Sequence, residues 1–428
     1  MKDVVIVSGA RTAVGSFGGV LKDVSAVTLG ATVLKEALKK IGLRPVVTDQ
    51  QEGYTPDQLK GQGMIPLEQE AYNWDNALTP VFIDEVIMGN VLCAGQGQNP
   101  ARQSMIRAGY PKETPAFTIN KVCGSGLKAI ALGAAEIMSG NADIIVAGGQ
   151  ESMSTVPMAL PKARWGYRME ISGMGEICDL MVFDGLYEIF FGYHMGMTAE
   201  NIVTKYEISR KEQDELALLS HTRAMAAIKN QWFKEEIVPV IVKGRQGDIV
   251  IDTDERPMET SMEKLAKLKP VFKKDGTVTA GNASGINDGA AAVVLMTSDK
   301  AKELGLTPLA KIKGYASGGV NPAYMGLGPI PAIRKLLSRT KMNVSDFQLI
   351  ELNEAFASQA IACMREFNID VQKPNELGSG ISLGHPIGCT GARQMVTGLY
   401  QMKRKGYNTG LVTMCIGGGM GMAMAIER

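Results

Sequence analysis

One pattern restricts this fold more than any other, and it occurs twice. A glycine-containing turn leads into a periodic apolar helix, then a short apolar strand, then a pair of glycines. In the first copy, Leu127, Ile130, Ala131, Ala134, Ile137 and Met138 mark one helix face. Gly140-Asn141 closes that helix, and Asp143–Gly148 follows as a buried strand. In the second copy, Ala392, Met395, Val396, Leu399 and Met402 line a helix with a basic end, and Leu411–Cys415 is the next strand. Placing Gly126 over Gly391 superimposes the two runs with a small length offset, which reads as an internal duplication. Further strand-like runs at Val4–Ser8, Phe82–Met88 and Phe347–Glu351 alternate with helical spacing at Leu29–Leu38 and from about Ala355. This is βαβ grammar, and it predicts a largely parallel sheet covered on both faces.

Between the copies the character changes. Pro157 to about Pro270 is rich in Gly, Met and charge and holds one clear helix, Gln213–Lys229, opened by the capping-box pattern Ser209-Arg-Lys-Glu212. It reads as a loop domain inserted over the core. Residues 44–80 are polar and punctuated by Pro and Gly, as in a surface excursion. At 428 residues there is chain for two or three domains. Lys plus Arg is 45 against 44 Asp plus Glu, so bulk charge recruits neither nucleic acid nor anionic membrane. No segment is expected to approach the ~20 apolar residues of a membrane span. The stretch Met1–Ser8 reads as a first strand rather than a targeting sequence.

Six cysteines show neither a CxxC pair nor metal-ligand spacing, so no metal is expected. Their scatter suits a reducing compartment, hence the cytoplasm. Cys93, Cys178 and Cys363 read as buried small hydrophobes. Cys123 differs: in Asn120-Lys-Val-Cys-Gly-Ser-Gly-Leu127 it stands at a helix N-terminus, where a thiol gains by being exposed and unpaired N–H groups favour thiolate. Of three histidines, His385 occupies another Gly-rich turn, Gly384-His-Pro-Ile-Gly388. His221 falls in a charged helix and reads as solvated. Cys415 opens Cys415-Ile-Gly-Gly-Gly-Met-Gly421 at a strand end; this run lacks the Lys-Ser/Thr ending of a phosphate loop. Nucleophile, base and second thiol thus all occupy element ends, where α/β folds place their chemistry.

These segments resemble the thiolase family, specifically its acetyl-CoA C-acetyltransferases. Also matching, in the family's order, are Gly89-Asn-Val-Leu with Gly97-Gln-Asn-Pro-Ala-Arg-Gln103, Pro161-Lys-Ala-Arg-Trp-Gly-Tyr-Arg168, Gly192-Tyr-His-Met-Gly196, Gly281-Asn-Ala-Ser-Gly285 and Asn353-Glu-Ala-Phe-Ala357. The resemblance implies a five-layered αβαβα fold of two duplicated mixed-sheet α/β domains plus an inserted loop domain. Residues 1–155, completed by about 287–310, would form the N-terminal domain. Residues 156–286 would form the loop and CoA-binding domain, and 311–428 the C-terminal domain. It also implies acyl transfer in two steps. Cys123 would carry the acyl group, His385 would activate it, and Cys415 would exchange the α-proton of acetyl-CoA. One oxyanion site would use His385 with a water held by Asn353, the other the backbone N–H groups of Cys123 and Gly417. By the same resemblance His194 and Ser284 lie beside the pantetheine arm, Met195 and Met325 narrow the acyl pocket, and Phe356 belongs to the substrate site. Coenzyme A thioesters are the substrates and no cofactor is implied. A homodimer, and a dimer of dimers, is the expected assembly.

Two other readings share these residues: a 3-ketoacyl-CoA thiolase of broader chain length, and an inactive thiolase-like carrier or scaffold. Non-catalytic relatives tend to lose the nucleophile or base, whereas this chain keeps Cys123, Asn353, His385 and Cys415. Two departures stand out. Cys389 replaces an alanine common in relatives, and reads as an inert small residue or a redox-sensitive neighbour of His385. The excursion at 44–80 looks longer than in the family.

Overall fold

The computed structural model describes residues 2–169, 175–244 and 247–428; Met1, placed above in the first strand, lies outside them. The N-terminal half supplies β1 (Val4–Arg11), α1 (Ala26–Lys39), β2 (Glu85–Gly89), α2 (Pro100–Arg107), β3 (Ala116–Ile119), α3 (Ser125–Ser139) and β4 (Ile144–Ser152). The intervening region contributes α4 (Gly196–Tyr206) and α5 (Arg210–Lys229). Then follow β5 (Asn287–Thr297), β6 (Ala310–Gly319), α6 (Pro329–Thr340), β7 (Leu349–Leu352), α7 (Ala357–Glu366), α8 (Thr390–Lys405), β8 (Thr409–Ile416) and β9 (Met420–Glu427).

The strands form one sheet in the order β7-β8-β9-β6-β1-β5-β4-β2-β3. It divides into two wings where β1 and β6 pair over two residues alone, Val5 with Lys311 and Ile6 with Ala310. Only the outer pairs, β7–β8, β4–β2 and β2–β3, are parallel. The pairs from β8 through β9, β6, β1 and β5 to β4 are antiparallel, which corrects the expectation of a largely parallel sheet. The reason is topological. In each half the strand of the helix-and-strand unit (α3–β4, α8–β8) is paired with an antiparallel strand later in the chain, β5 after the whole intervening region in one half and β9 after a short turn in the other. Only the unit itself has βαβ form.

Alternate residues of each strand enter different cores, as a period of two requires. Val5 and Val7 of β1 pack with Leu29, Val33 and Leu38 of α1 on one outer side. Val4 and Ile6 face the middle layer, where Leu127 and Ile130 of α3 meet Met395 and Leu399 of α8. Beyond the second wing, Ile350 and Leu352 of β7 pack with Ile333 and Leu336 of α6 and Ile361 of α7. Layers therefore run helix, sheet, helix, sheet, helix, and full burial of each such side chain stabilises by about 1.5–3 kcal/mol.

The duplicated glycines mark where the middle helices touch. A Cβ on Gly126 would stand 2.9 Å from the Ala392 nitrogen, and one on Gly391 would stand 2.6 Å from that of Leu127. Only glycines allow this approach, and it brings the start of α3 beside the start of α8. The window Val122–Ser139 is long and apolar enough to cross a membrane, against the expectation that no segment comes close; here it is the central core helix.

The capping box holds: Ser209 Oγ accepts from Glu212 N at 3.2 Å and opens α5. The region has more helix than expected, with α4, Leu180–Gly185 and Met262–Ala266 besides α5. At the ends of 44–80, short strands Leu43–Pro45 and Thr79–Val81 pair in parallel around three short helical segments, Asp49–Tyr54, Asp57–Leu59 and Pro66–Ala71.

Candidate active site

A cavity of about 290 Å³ opens where the two halves and the intervening region meet. Cys123, His194, Met195, Ser284, Met325, Phe356, His385 and Gly417 all line it. Of the expected site residues, Cys415 and Asn353 are not among its lining. Cys415 is fully buried and packs with the cavity-lining Met195, Met325 and Phe356.

Cys123 stands two residues before the start of α3, in a turn where Lys121 N donates to Ser125 Oγ at 2.8 Å and Ser125 Oγ donates to Val122 O at 2.6 Å. Val122 is held at φ 46°. That conformation is strained for a β-branched residue, and such strain clusters at functional sites. Cys123 is only 9% exposed, which corrects the expectation of an open thiol. Burial pushes its pKa up to about 11, against the pull of the Gly417 and Cys123 N–H groups. Desolvation thus outweighs the helix terminus, and this thiol needs a base. Cys415 is pushed well up by burial and by the charge of Cys123.

His385 can serve as that base because its tautomer is set. Its Nδ1 lies 2.6 Å from Thr390 Oγ1, and that hydroxyl donates to Pro386 O at 2.9 Å. A hydroxyl has one proton, so Thr390 can only accept from the ring. Nδ1 therefore carries the hydrogen, and Nε2 holds the lone pair. Nε2 is buried with no partner among the described residues. Burial, with the charge of Arg393 adding to it, pushes His385 down to about 3, so the ring is neutral at physiological pH. Its backbone is pinned by Asn287, whose Oδ1 accepts from His385 N at 2.9 Å while its Nδ2 donates to Gly15 O at 2.9 Å.

Asn353 is wholly buried, and neither its Oδ1 nor its Nδ2 has a partner among the described residues. A buried amide with both ends free is equipped to hold a water or a substrate oxygen. Its main chain is fixed by Thr413 O and by Gln359 Nε2. Gly417 begins the turn between β8 and β9, where Gly418 and Gly419 take φ of 79° and 78°. A Cβ on Gly417 would sit 2.9 Å from the Met195 methyl carbon, so glycine keeps this N–H open to the cavity.

Also lining the cavity, His194 stacks on Phe272 at 4.6 Å, and Phe272 meets Phe356 edge-on. His194 Nδ1 accepts from Gly196 N at 3.1 Å, which leaves Nε2–H as its remaining donor. Ser284 is anchored by its N–H to Ala355 O at 2.9 Å.

Sequence reasoning missed Thr390, Asn287 and Glu151, whose partners are remote in sequence or local only once the turn forms. Polar Gln150-Glu151-Ser152 ending an apolar strand was the available signal. Other expectations need correction. His221 is 1% exposed, not solvated; burial pushes it down to about 4, with Arg256 contributing. Cys93 and Cys178 are half-buried, whereas Cys363 is buried as expected. Cys389 sits in the middle core, 1% exposed and pushed up to about 12 by burial, as suits an inert residue.

Residues 4–55 and 70–299 match the family described as Thiolase, N-terminal domain, and residues 306–428 match Thiolase, C-terminal domain. The chain belongs to the thiolase family. Within the 44–80 excursion, only 56–69 fall outside the family match. The acetyl-CoA acetyltransferase of Syntrophomonas wolfei is 52% identical over 428 residues, spanning all of this thiolase and 99% of the relative. That of Cupriavidus necator is 50% identical over the full length of both chains. Both matches span the excursion. The crystal structure of the Bacillus anthracis acetyl-CoA acetyltransferase superimposes with a TM-score of 0.88 at 44% identity, covering 100% of this chain and 99% of that one.

Proposed function

We propose that this thiolase is an acetyl-CoA C-acetyltransferase, joining two acetyl-CoA into acetoacetyl-CoA and CoA, or running the reverse thiolysis. The observation that carries the reading is the His385 ring, whose hydrogen is committed to Thr390 and whose Nε2 lone pair shares a cavity with the Cys123 thiol. Cys123 Sγ attacks the thioester carbonyl as its proton passes to Nε2. The carbonyl C–S bond breaks, CoA leaves with a proton from the Cys415 thiol, and the acetyl group remains on the Cys123 sulfur. Charge developing on the carbonyl oxygen meets the N–H groups of Cys123 and Gly417. A second acetyl-CoA then returns an α-proton to the Cys415 thiolate so formed, its oxygen accepting from the protonated Nε2 of His385 and from a water on Asn353. The resulting carbon nucleophile attacks the acetyl-thioester, and Cys123 leaves as thiolate and recovers its proton from His385 Nε2.

The division into domains 1–155 with 287–310, 156–286 and 311–428 belongs to this reading, as does a homodimer assembling further to a tetramer. Supporting association are the open edge strand β3 and the exposed Met158, Leu160, Trp165 and Ile177. All six cysteines are free thiols, which suits a cytoplasmic enzyme. Thiolysis of acetoacetyl-CoA, 3-ketohexanoyl-CoA and a 3-ketodecanoyl analogue, with Cys123→Ala as blank, tests the proposal. Activity confined to the four-carbon substrate is expected. Equal rates on longer chains would make it a broad-chain thiolase, and no rate on any would revive the scaffold.

A further inference from the structure

Glu151 is fully buried near the end of β4, where no step of the proposed chemistry uses it. Its carboxylate accepts four N–H groups. Oε1 takes Asn90 Nδ2 at 2.6 Å and Leu92 N at 3.2 Å, and Oε2 takes Val91 N at 3.0 Å and Gly388 N at 2.8 Å. Three of these come from the turn after β2. The fourth comes from the turn that carries His385, in the other half of the chain.

The packing leaves little slack. A Cβ on Gly388 would stand 2.7 Å from Glu151 Oε2 and 3.0 Å from the Asn90 Cα, and one on Gly149 would stand 2.1 Å from Gly388 O. The Asn90–Leu92 turn in turn grips the run leading to the nucleophile. Asn90 N donates to Ile119 O at 3.1 Å, and Asn120 Nδ2 donates to Val91 O at 3.5 Å. One carboxylate therefore joins the segment before Cys123 to the segment bearing His385. Charge-assisted bonds of this kind are about twice as strong as neutral ones. The titratable groups that feel its charge are the thiols of Cys93, Cys123 and Cys389, each raised by it.

We propose that Glu151 is a positioning residue for the thiol–imidazole pair: by binding Gly388 and the Asn90–Leu92 turn together, it sets the approach of His385 Nε2 to the Cys123 thiol. The inference rests on the roles proposed above for Cys123 and His385. Near-attack geometry is sensitive enough for this to matter, since ~1 Å of misplacement costs on the order of 100-fold in rate.

The test uses the full-length enzyme with Glu151→Gln, whose amide turns an NH₂ toward backbone donors and must give up at least one of the four contacts. Asn90→Ala, which removes one donor and keeps three, serves alongside should Glu151→Gln fold poorly. Iodoacetamide alkylation of Cys123 is followed against pH, together with kcat and KM for acetoacetyl-CoA thiolysis. The expected result is alkylation slower by roughly tenfold near pH 7. That deficit should shrink as pH rises toward about 11, where hydroxide ionises the thiol without help from imidazole. kcat should fall by about 100-fold with KM within about twofold. Faster alkylation near pH 7 would overturn the inference, because removing a negative charge alone lowers the thiol pKa. A deficit equal at every pH, as from partial unfolding, would also overturn it, as would unchanged rates. Should wild-type Cys123 fail to react ahead of the other thiols, the proposed thiol chemistry falls and this inference with it. A normal wild type beside an unchanged variant overturns this inference alone.

Discussion

Replacing Thr390 by valine isolates one atom of the proposed mechanism. Thr390 is fully buried, and valine keeps its shape while removing the hydroxyl that accepts from His385 Nδ1 at 2.6 Å. In a ring only 5% exposed, an Nδ1–H without an acceptor costs about 1–3 kcal/mol. The imidazole escapes that penalty by moving its hydrogen to Nε2, but Nε2 can then no longer take the Cys123 proton. The penalty falls on the active tautomer and not on substrate binding. At about 1.4 kcal/mol per factor of ten, kcat should drop by roughly 5- to 150-fold with KM little changed. Thiolysis followed by loss of acetoacetyl-CoA measures both constants, and melting temperatures in parallel show that the variant is folded. Thr390→Ser restores the acceptor and should recover most of the rate. A valine variant within about twofold of wild type, or a serine variant as slow as valine, would refute the tautomer argument.

Three further outcomes are expected. His385 and His221 are pushed by burial from 6.5 to about 3 and about 4, so acid protonates the unfolded chain first and stability falls with pH below 6.5. Glu151 and Glu351 are pushed by burial from 4.5 to about 7 and about 8; the folded chain keeps protons that the unfolded chain has lost, so stability also falls as pH rises toward 8. Melting temperature should peak between about 4.5 and 6.5, and a steady rise from pH 6.5 to 8 would contradict this. Arg11→Met leaves Asp254 and Glu236 buried without their guanidinium and should lose about 3–5 kcal/mol in denaturant unfolding, with a loss under about 1 kcal/mol counting against it. Met195→Ala should widen the acyl end of the cavity and raise kcat/KM for 3-ketohexanoyl-CoA relative to acetoacetyl-CoA by about tenfold or more; an unchanged ratio would remove Met195 from chain-length control.

Features governed by neighbouring residues were legible in the chain. The α5 capping box, the apolar faces of α3 and α8, and the glycine turns around Cys123, His385 and Cys415 all depend on contacts within a few residues. So did the duplication, because Gly126 and Gly391 are needed at equivalent points of equivalent units. Strand direction was not legible: an apolar run is buried on both faces whether its neighbour runs parallel or back, and β5 reaches its place only after the whole intervening region. Nor was burial. His221 looks polar along its helix, yet packing removes it from water, and Cys123 looks open at a helix start until the cavity wall closes over it.

By itself the sequence determined the local units, their repetition and the residue types of the chemistry, since these follow from periodicity, turn propensity and side-chain reactivity. Only the tertiary structure decided how those groups work together. It brought Thr390 to the far nitrogen of His385, Asn287 and Glu151 to the turn that carries it, and left the Asn353 side-chain amide without a partner among the described residues. Hydrogen bonds such as Asn287–His385 and Glu151–Gly388, 98 and 237 residues apart, leave no periodic trace in the chain, because their geometry exists only after remote segments have packed, and the Thr390 bond exists only once its turn has formed.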